Sequence, residues 1–470
     1  MSRNFLDAAF TAKLFDFVIT KTDVLKSREG LSAAINFGDW KMCYSPLTPL
    51  TTHSFSKNVE FYFLGSVFEL DLLIPRNSIG HYLGVEYNTE SRTLRLFRSR
   101  NSFLGVYYTA SQKVPLFWGN FSRTKQLVKP AIDADKIEMF FADGLISEGG
   151  TLFSGIHQLR FQKQALIKED SVFEESEPLL KSDSPENLSA GQFLDFTMAR
   201  FSEWFKYTPY NSMALSGGAD SRLLFATLQK YPQEKEFFLH SRCHPQMDPE
   251  QDADVVIAKR AADIIGKKHC IQFSQGLPSA YLSQEPPAVP PVLSGLYGGE
   301  LLGGEVLNLI SKTRLQKESE YSFAQALSAC AQMFVCDFYA GAWSVCSSHH
   351  NLTLTPFWDS YVVAALLQTP TSVIKEYSLL SKMYEHLPSP LRELPFVSIL
   401  TDYQPQWKKP LPGANPKSLK GKTMDLVFPS SWLRHKKQLS DEVYNRRAVT
   451  LWFYFKAFYG MADEELLSYL

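Results

Sequence analysis

Ser212-Met213-Ala214-Leu215-Ser216-Gly217-Gly218-Ala219-Asp220-Ser221-Arg222 runs directly into Leu223-Leu224-Phe225-Ala226-Thr227-Leu228. The opening residues are short and apolar, as in a buried strand. The closing ones read as a helix, so a glycine turn joins strand to helix. Two adjacent glycines let the backbone turn tightly and approach a ligand with its N–H groups exposed. The helix that follows points its positive end at the turn, which favours an anion there. Ser216 and Ser221 supply hydroxyl donors for phosphate oxygens, and Asp220 suits a Mg²⁺ ion that bridges the phosphates. Arg222, in the first helical turn, opposes the helix dipole unless a multiply charged anion lies nearby. Ser216, Gly217, Gly218, Asp220, Ser221 and Arg222 are therefore the candidate nucleotide-binding residues. The plainer alternative is a serine–glycine turn with Asp220 as a helix N-cap.

Downstream, Glu236-Phe237-Phe238-Leu239-His240 reads as a second strand and Val255 to Ile265 as a second helix. Strand, loop, helix, strand, helix is the pattern of a parallel α/β sheet. From about Phe323 the pattern is helical, closing on the aromatic run Trp452-Phe453-Tyr454-Phe455 with Phe458. Upstream, Phe193, Phe196, Thr197, Ala199, Arg200, Phe201, Trp204 and Phe205 recur near helical spacing. Residues 171–190 are acidic, serine-rich and punctuated by Pro178 and Pro185, the composition of a solvated linker. Residues 1–170 are β-rich: Val59–Leu64, Thr93–Arg98 and Gly105–Tyr108 carry β-branched and aromatic residues. The Leu94/Leu96 alternation predicts one buried and one wet face, and tight turns are expected after Tyr87-Asn88 and at Ser111-Gln112. The predicted organisation is a β-rich layered domain (1–170), an acidic linker (171–190) and an α/β domain with a helical C-terminal part (191–470).

The 470 residues exceed one ordinary core, and 45% apolar with 21% charged residues is a core-forming composition. A net charge of −1 gives no basic excess, so a nucleic-acid partner is not expected. No run of about 18 apolar residues occurs, and the N-terminus lacks a signal-peptide pattern, so neither a membrane span nor export is expected. The six cysteines form no CxxC pair and no zinc-like spacing, which suits reduced thiols in the cytoplasm. Gly421-Lys422-Thr423 resembles the end of a Walker A loop, but Pro416 stands where its first glycine belongs. His349 and His350 with Asp337 make a poor metal site, because adjacent histidines diverge on a helix.

Further motifs carry a family resemblance. Asp252-Ala253-Asp254 precedes the second helix, with Gly266 and His269 after it. Ser294-Gly295-Leu296-Tyr297-Gly298-Gly299-Glu300-Leu301-Leu302-Gly303-Gly304 is similar to S-G-x-G-x-D-E-L-F-G-G, and Thr355-Pro356-Phe357-Trp358-Asp359 to a P-F-L-D turn. With Ser216–Ser221, these resemble the asparagine-synthetase superfamily, which includes β-lactam synthetases and lasso-peptide cyclases. Phe97-Arg98-Ser99-Arg100, Val114-Pro115-Leu116-Phe117-Trp118 and Gly150-Thr151-Leu152-Phe153-Ser154-Gly155-Ile156 more loosely resemble its Ntn-type glutaminase domain. The resemblance implies an Ntn-like N-terminal domain followed by a PP-loop ATP-pyrophosphatase domain. It also implies ATP and Mg²⁺ as cofactors, and a ligase that adenylates a small-molecule or peptide carboxylate before an amine displaces AMP.

Three departures shape that expectation. Glutaminase members place a cysteine directly after the initiator methionine, whereas this chain has Ser2 and its first cysteine is Cys43; glutamine hydrolysis is not expected. The metal-binding aspartate of the second glycine loop aligns with Gly299, leaving Glu300 as the candidate Mg²⁺ ligand beside Asp220. The family's pyrophosphate-neutralising lysine has no residue in register, and Lys375 and Lys382 flank its place. Glu300, Lys375 and Tyr297, the last as a proton-transfer group, are the candidate catalytic residues. The alternatives are a catalytically degenerate paralogue that binds nucleotide or a partner protein, and an enzyme fed by free ammonia. A partner protein or a homodimer stays open.

Overall fold

The computed structural model describes residues 16–21, 31–46, 48–70, 78–99, 105–109, 114–119, 123–129, 131–143, 149–160, 163–176, 188–208, 211–234, 236–243, 248–273, 292–295, 298–304, 353–395 and 432–439, with 444, 447, 448, 451 and 455. The expected turn at Ser111-Gln112, Ser2, Tyr297, the Asp337/His349/His350 group, residues 421–423 and nearly all of the aromatic closing helix lie outside them.

The N-terminal part is β-rich, as expected. Its strands are β1 (Phe17–Lys21), β2 (Ala33–Phe37), β3 (Trp40–Tyr44), β4 (Leu50–Ser56), β5 (Val59–Glu69), β6 (Ile79–Asn88), β7 (Thr93–Arg98), β8 (Tyr107–Thr109), β9 (Leu116–Trp118), β10 (Ile156–Gln158), β11 (Lys163–Lys168) and β12 (Ser171–Ser176). They form two six-stranded sheets, ordered β10-β8-β9-β1-β3-β2 and β12-β11-β7-β6-β5-β4. All pairings in both are antiparallel. Period-2 alternation sends Phe17, Ile19 and Met42 from one sheet, and Leu64, Val85, Leu94 and Leu96 from the other, into one shared core. The turn after Tyr87-Asn88 forms as predicted, with Asn88 Oδ1 accepting from the N–H groups of Glu90 and Ser91. The opposite face of β7 is not simply wet: Phe97 joins Phe61, Phe63 and Tyr82 in a second buried aromatic cluster.

The expected linker begins later than residue 171, because Ser171–Ser176 pair with β11 along its whole length. The acidic residues there are partnered rather than solvated. Glu174 accepts from Tyr108 Oη at 3.0 Å and from Arg160 Nε at 2.5 Å, and Glu175 accepts from Gln164 Nε2 at 3.0 Å.

Beyond it, the helix Ala190–Tyr207 starts on a capping box: Ser189 Oγ accepts from Gln192 N while Gln192 Oε1 accepts from Ser189 N. It buries Phe193, Leu194, Met198, Phe201, Trp204 and Phe205. Strands β13 (Ser212–Ala214), β14 (Phe238–Cys243), β15 (His269–Phe273), β16 (Val292–Leu293) and β17 (Thr353–Leu354) form a five-stranded sheet. Every pairing in it is parallel. Its order is β15-β14-β13-β16-β17. Helices Ala219–Lys230 and Ala253–Ile264 make the crossovers from β13 to β14 and from β14 to β15.

C-terminal residues return to the β-rich part. The Phe141 ring, on the helix Ala134–Asp143, stacks on His435 with centroids 4.1 Å apart and meets Trp432 edge-on. Arg434 pairs with Glu138, and Arg447 donates to the Phe141 carbonyl. Among the described residues, no helix is long and apolar enough to cross a membrane.

Candidate functional site

Strand order alone locates a crevice. From β13 the chain moves outward to β14 and β15, then returns to place β16 on the other side of β13. Ligands of open parallel sheets bind at such a reversal, beyond the carboxyl ends of the strands. The segments leaving β13 and β16 there are Ser216–Gly218 and Ser294-Gly295, with the helix Gly298–Leu302 following the latter in the chain.

Glycines bring these two segments together. A Cβ at Gly295 would lie 2.5 Å from the backbone nitrogen of Ser221, and one at Gly298 would lie 2.6 Å from Cγ and 2.7 Å from Oδ1 of Asp220. Both contacts are closer than real Cβ atoms come, so only glycine fits either place. The two motifs picked out in the sequence thus share one crevice, with Asp220 at their junction.

Within the first loop each serine oxygen receives a backbone proton. Ser221 Oγ accepts from Ser216 N at 3.2 Å, and Ser216 Oγ accepts from Gly218 N at 3.2 Å. The two hydroxyl oxygens are 3.0 Å apart. A hydroxyl carries one proton that rotates to suit its surroundings. The serines therefore satisfy the loop amides and each keeps one O–H: that of Ser221 has the carbonyls of Ser216 at 3.2 Å and Gly218 at 3.4 Å as acceptors inside the loop, and that of Ser216 is the one placed to turn toward an anion. Ser216 is exposed and Ser221 buried. Gly218, the N-cap of the helix Ala219–Lys230, brings no side chain to its first turn, which suits an external anion as the cap.

The third loop amide is held from outside. Gly217 N donates to Asp254 Oδ1 at 2.8 Å. Burial raises the Asp254 carboxyl above its ordinary pKa, the Gly217 hydrogen bond opposes the rise, and Asp252 adds to it. Asp252 caps the helix Ala253–Ile264 by accepting from Asp254 N and Val255 N. Asp254 was legible as part of a motif, but its role was not. The usable signal is an acidic residue in the first turn of the next crossover helix, at the same sheet edge as the glycine loop.

His269 is tied through Ser241 to the backbone that enters the glycine turn. Ser241 Oγ donates to Leu215 O at 2.6 Å and lies 2.9 Å from His269 Nε2. With the serine proton given to the carbonyl, the imidazole must donate through Nε2. Burial, the largest influence, pushes His269 below its ordinary pKa, which suits that neutral tautomer.

Arg222 departs from expectation. It is 1% exposed. Its guanidinium faces inward, donating to the carbonyls of Leu394 at 2.6 Å, Leu391 at 3.3 Å and Gly217 at 3.4 Å, and also to that of Pro395. Burial lowers its pKa to about 10, so it stays charged near neutrality. The fourth helical position turns toward the core, and Arg222 ties the loop to residues 391–395 instead of meeting an anion.

Glu300 falls in the short helix Gly298–Leu302, whose first residue touches Asp220. Lys375 is exposed and belongs to a turn docked at the other end of that helix. There Tyr377 N donates to Gly303 O at 2.9 Å, and Glu376 and Tyr377 both have left-handed backbones, φ 57° and 60°. Asp359 of the Pro356–Trp358 turn is fully buried; it accepts from Arg200 Nε and Nη2, from Trp204 Nε1, and from the amides of Tyr361 and Val362. Among the described residues no group of three or more His, Cys, Asp or Glu side chains gathers as a metal site. A Mg²⁺ ion held mainly by phosphate oxygens needs only one or two carboxylates.

No family model matches the chain, and no curated protein does. Among solved structures, it is similar to the glutamine phosphoribosylpyrophosphate amidotransferase from B. subtilis complexed with ADP and GMP. The identity is 8% over 66% of this chain and 74% of that one, with a TM-score of 0.22. A superposition that loose transfers neither fold nor chemistry.

Proposed function

We propose that this chain is an ATP-dependent, AMP-forming ligase of the asparagine-synthetase type that makes an amide from a carboxylate without hydrolysing glutamine. The observation that carries the reading is the meeting of Asp220 and Ser221 with Gly298 and Gly295 at the strand-order reversal. Ser216, Ser221 and the helix N-terminus would take the pyrophosphate end of ATP, and Asp220, with Glu300, would hold Mg²⁺. ATP supplies the activated phosphorus. The substrate carboxylate oxygen bonds to the α-phosphorus as the bond to pyrophosphate breaks. An amine then adds to the acyl carbon, AMP departs, and the amine gives up a proton. Tyr297 stands as a proton-transfer candidate and Lys375 as the cation for pyrophosphate. The two antiparallel sheets packed on one core support an Ntn-like, layered N-terminal domain.

A second reading, a degenerate paralogue that binds nucleotide or a partner protein without turnover, is favoured by Gly299 at the aspartate position and by the place of Lys375 at the far end of the helix Gly298–Leu302. Pyrophosphate exchange into ATP separates the two readings. Purified protein with Mg²⁺ and a panel of carboxylates and peptides should show exchange that depends on one substrate and vanishes in Asp220→Ala. Mg-ATP binding with no exchange across the panel would select the second reading, and absence of ATP binding would remove the nucleotide site and leave only its partner-binding form.

A further inference from the structure

Three consecutive amides line the glycine turn, and they are held in two different ways. Those of Ser216 and Gly218 rest on serine hydroxyls inside the loop, whereas that of Gly217 rests on a carboxylate from the neighbouring crossover, 37 residues away in the chain. A hydroxyl can release its proton toward a ligand and keep its amide. A carboxylate has no proton to pass on, and here its oxygen takes the Gly217 N–H for itself. Its own anchorage is firm: Asp254 stands in the first turn of the helix Ala253–Ile264, whose start is capped by Asp252. On the far side of the same peptide region, Arg222 Nη2 donates to Gly217 O at 3.4 Å. Gly217 is thus gripped at both its N–H and its C=O by charged side chains, and neither is one of the loop's own donors to an anion.

We propose that Asp254 is the positioning residue of this loop: its carboxylate fixes the Ser216–Gly217 peptide so that the serine hydroxyls and the helix N-terminus face the phosphates. The assignment rests on the nucleotide reading of the loop, and it adds a residue that touches neither nucleotide nor substrate. A negative charge so close to a phosphate site opposes anion binding, so its value lies in geometry. An uncharged acceptor of the same shape should serve as well or better.

The test compares Asp254→Ala, Asp254→Ser and Asp254→Asn in the full chain. Glycine-selective ¹⁵N labelling reads hydrogen exchange at the Gly217 amide without nucleotide, and calorimetry reads Mg-ATP binding. Loss of the hydrogen bond should speed Gly217 exchange about tenfold in the Ala and Ser variants, while Asn, which keeps the acceptor, stays near wild type. Mg-ATP should bind more weakly in Ala and Ser and at least as tightly in Asn. Unchanged Gly217 exchange in both Ala and Ser variants would overturn the proposal, as would equal loss of binding in all three. Should the Ala variant not fold, Ser and Asn carry the comparison. If wild type binds no Mg-ATP, the nucleotide reading falls by itself, and with it any role toward phosphate; Gly217 exchange then still decides whether Asp254 holds the loop.

Discussion

Gly298 lies against the carboxylate of Asp220, so close that a methyl group at 298 would sit 2.7 Å from Oδ1. This contact puts the carboxylate at the mouth of both glycine segments and limits how it can turn. It also gives a substitution whose sign is informative. Gly298 opens its helix, so alanine there, if unhindered, should gain less than the about 1 kcal/mol of a helix interior. Overpacking typically costs about 1–3 kcal/mol. We expect Gly298→Ala to lower the urea midpoint and abolish pyrophosphate exchange. A more stable Gly298→Ala protein would show that the two segments do not meet.

Arg222→Met should act on stability rather than on nucleotide contact. It keeps the aliphatic stem but removes donors from the carbonyls of Gly217, Leu391, Leu394 and Pro395. Leaving such groups buried and unsatisfied costs about 1–3 kcal/mol each at most, with partial relief by relaxation. A clear fall in melting temperature is expected. If Arg222→Met melts like wild type but binds Mg-ATP poorly, the arginine acts on the anion after all.

Acid should weaken the fold before it touches the carboxylates. His157, His269 and His435 are each pushed below the ordinary value of 6.5, chiefly by burial. Below pH 6.5 the unfolded chain takes up protons that the folded chain refuses, so stability falls as pH drops through that value and keeps falling toward the folded-state pKa. Asp254, raised by burial, works in the opposite direction at lower pH, where the folded chain accepts a proton before the unfolded one. Urea unfolding at pH 7.5 and 5.5 should show the loss. His269→Gln, which can still donate to Ser241, should narrow the gap between the two midpoints. An unchanged gap would assign the acid sensitivity elsewhere.

How far the sequence could be read depended on the range of the forces involved. The helix Ala190–Tyr207 and the strand–turn–helix through Ser216–Ser221 are local, set by periodicity and by adjacent glycines, and both were legible. Ser171–Ser176 looked like linker because Glu174 and Glu175 look solvated until their partners are known. One partner, Arg95, lies 80 residues away. Arg222 was misread for a related reason. Charge next to a phosphate motif suggests an anion ligand, whereas helical phase turns this side chain inward, onto carbonyls that belong to residues 391–395. The glycine contacts to Asp220 and Ser221 depend on strand order, which no local pattern encodes.

Asp359 offers the strongest separation of a cap from a charge pair. It is fully buried, and its oxygens take both Arg200 nitrogens at 3.2 and 3.0 Å, Trp204 Nε1 at 2.9 Å and two amides that open the helix Ser360–Gln368. Asp359→Ala removes all of these acceptors and should cost about 3–5 kcal/mol, the usual loss when one partner of a buried pair is deleted. Asp359→Asn keeps one carbonyl oxygen for the amides and loses mainly the charge, so its loss should be smaller. Arg200 also lies over the Tyr361 ring at 4.4 Å, a cation–π contact that neither substitution deletes directly. The helix Ser360–Gln368 packs beside the helix Gly298–Leu302 that touches Asp220. The damage should therefore reach the loop, with pyrophosphate exchange falling more steeply than the folded fraction in Asp359→Ala. Exchange that tracks the folded fraction in both variants would confine Asp359 to holding the fold.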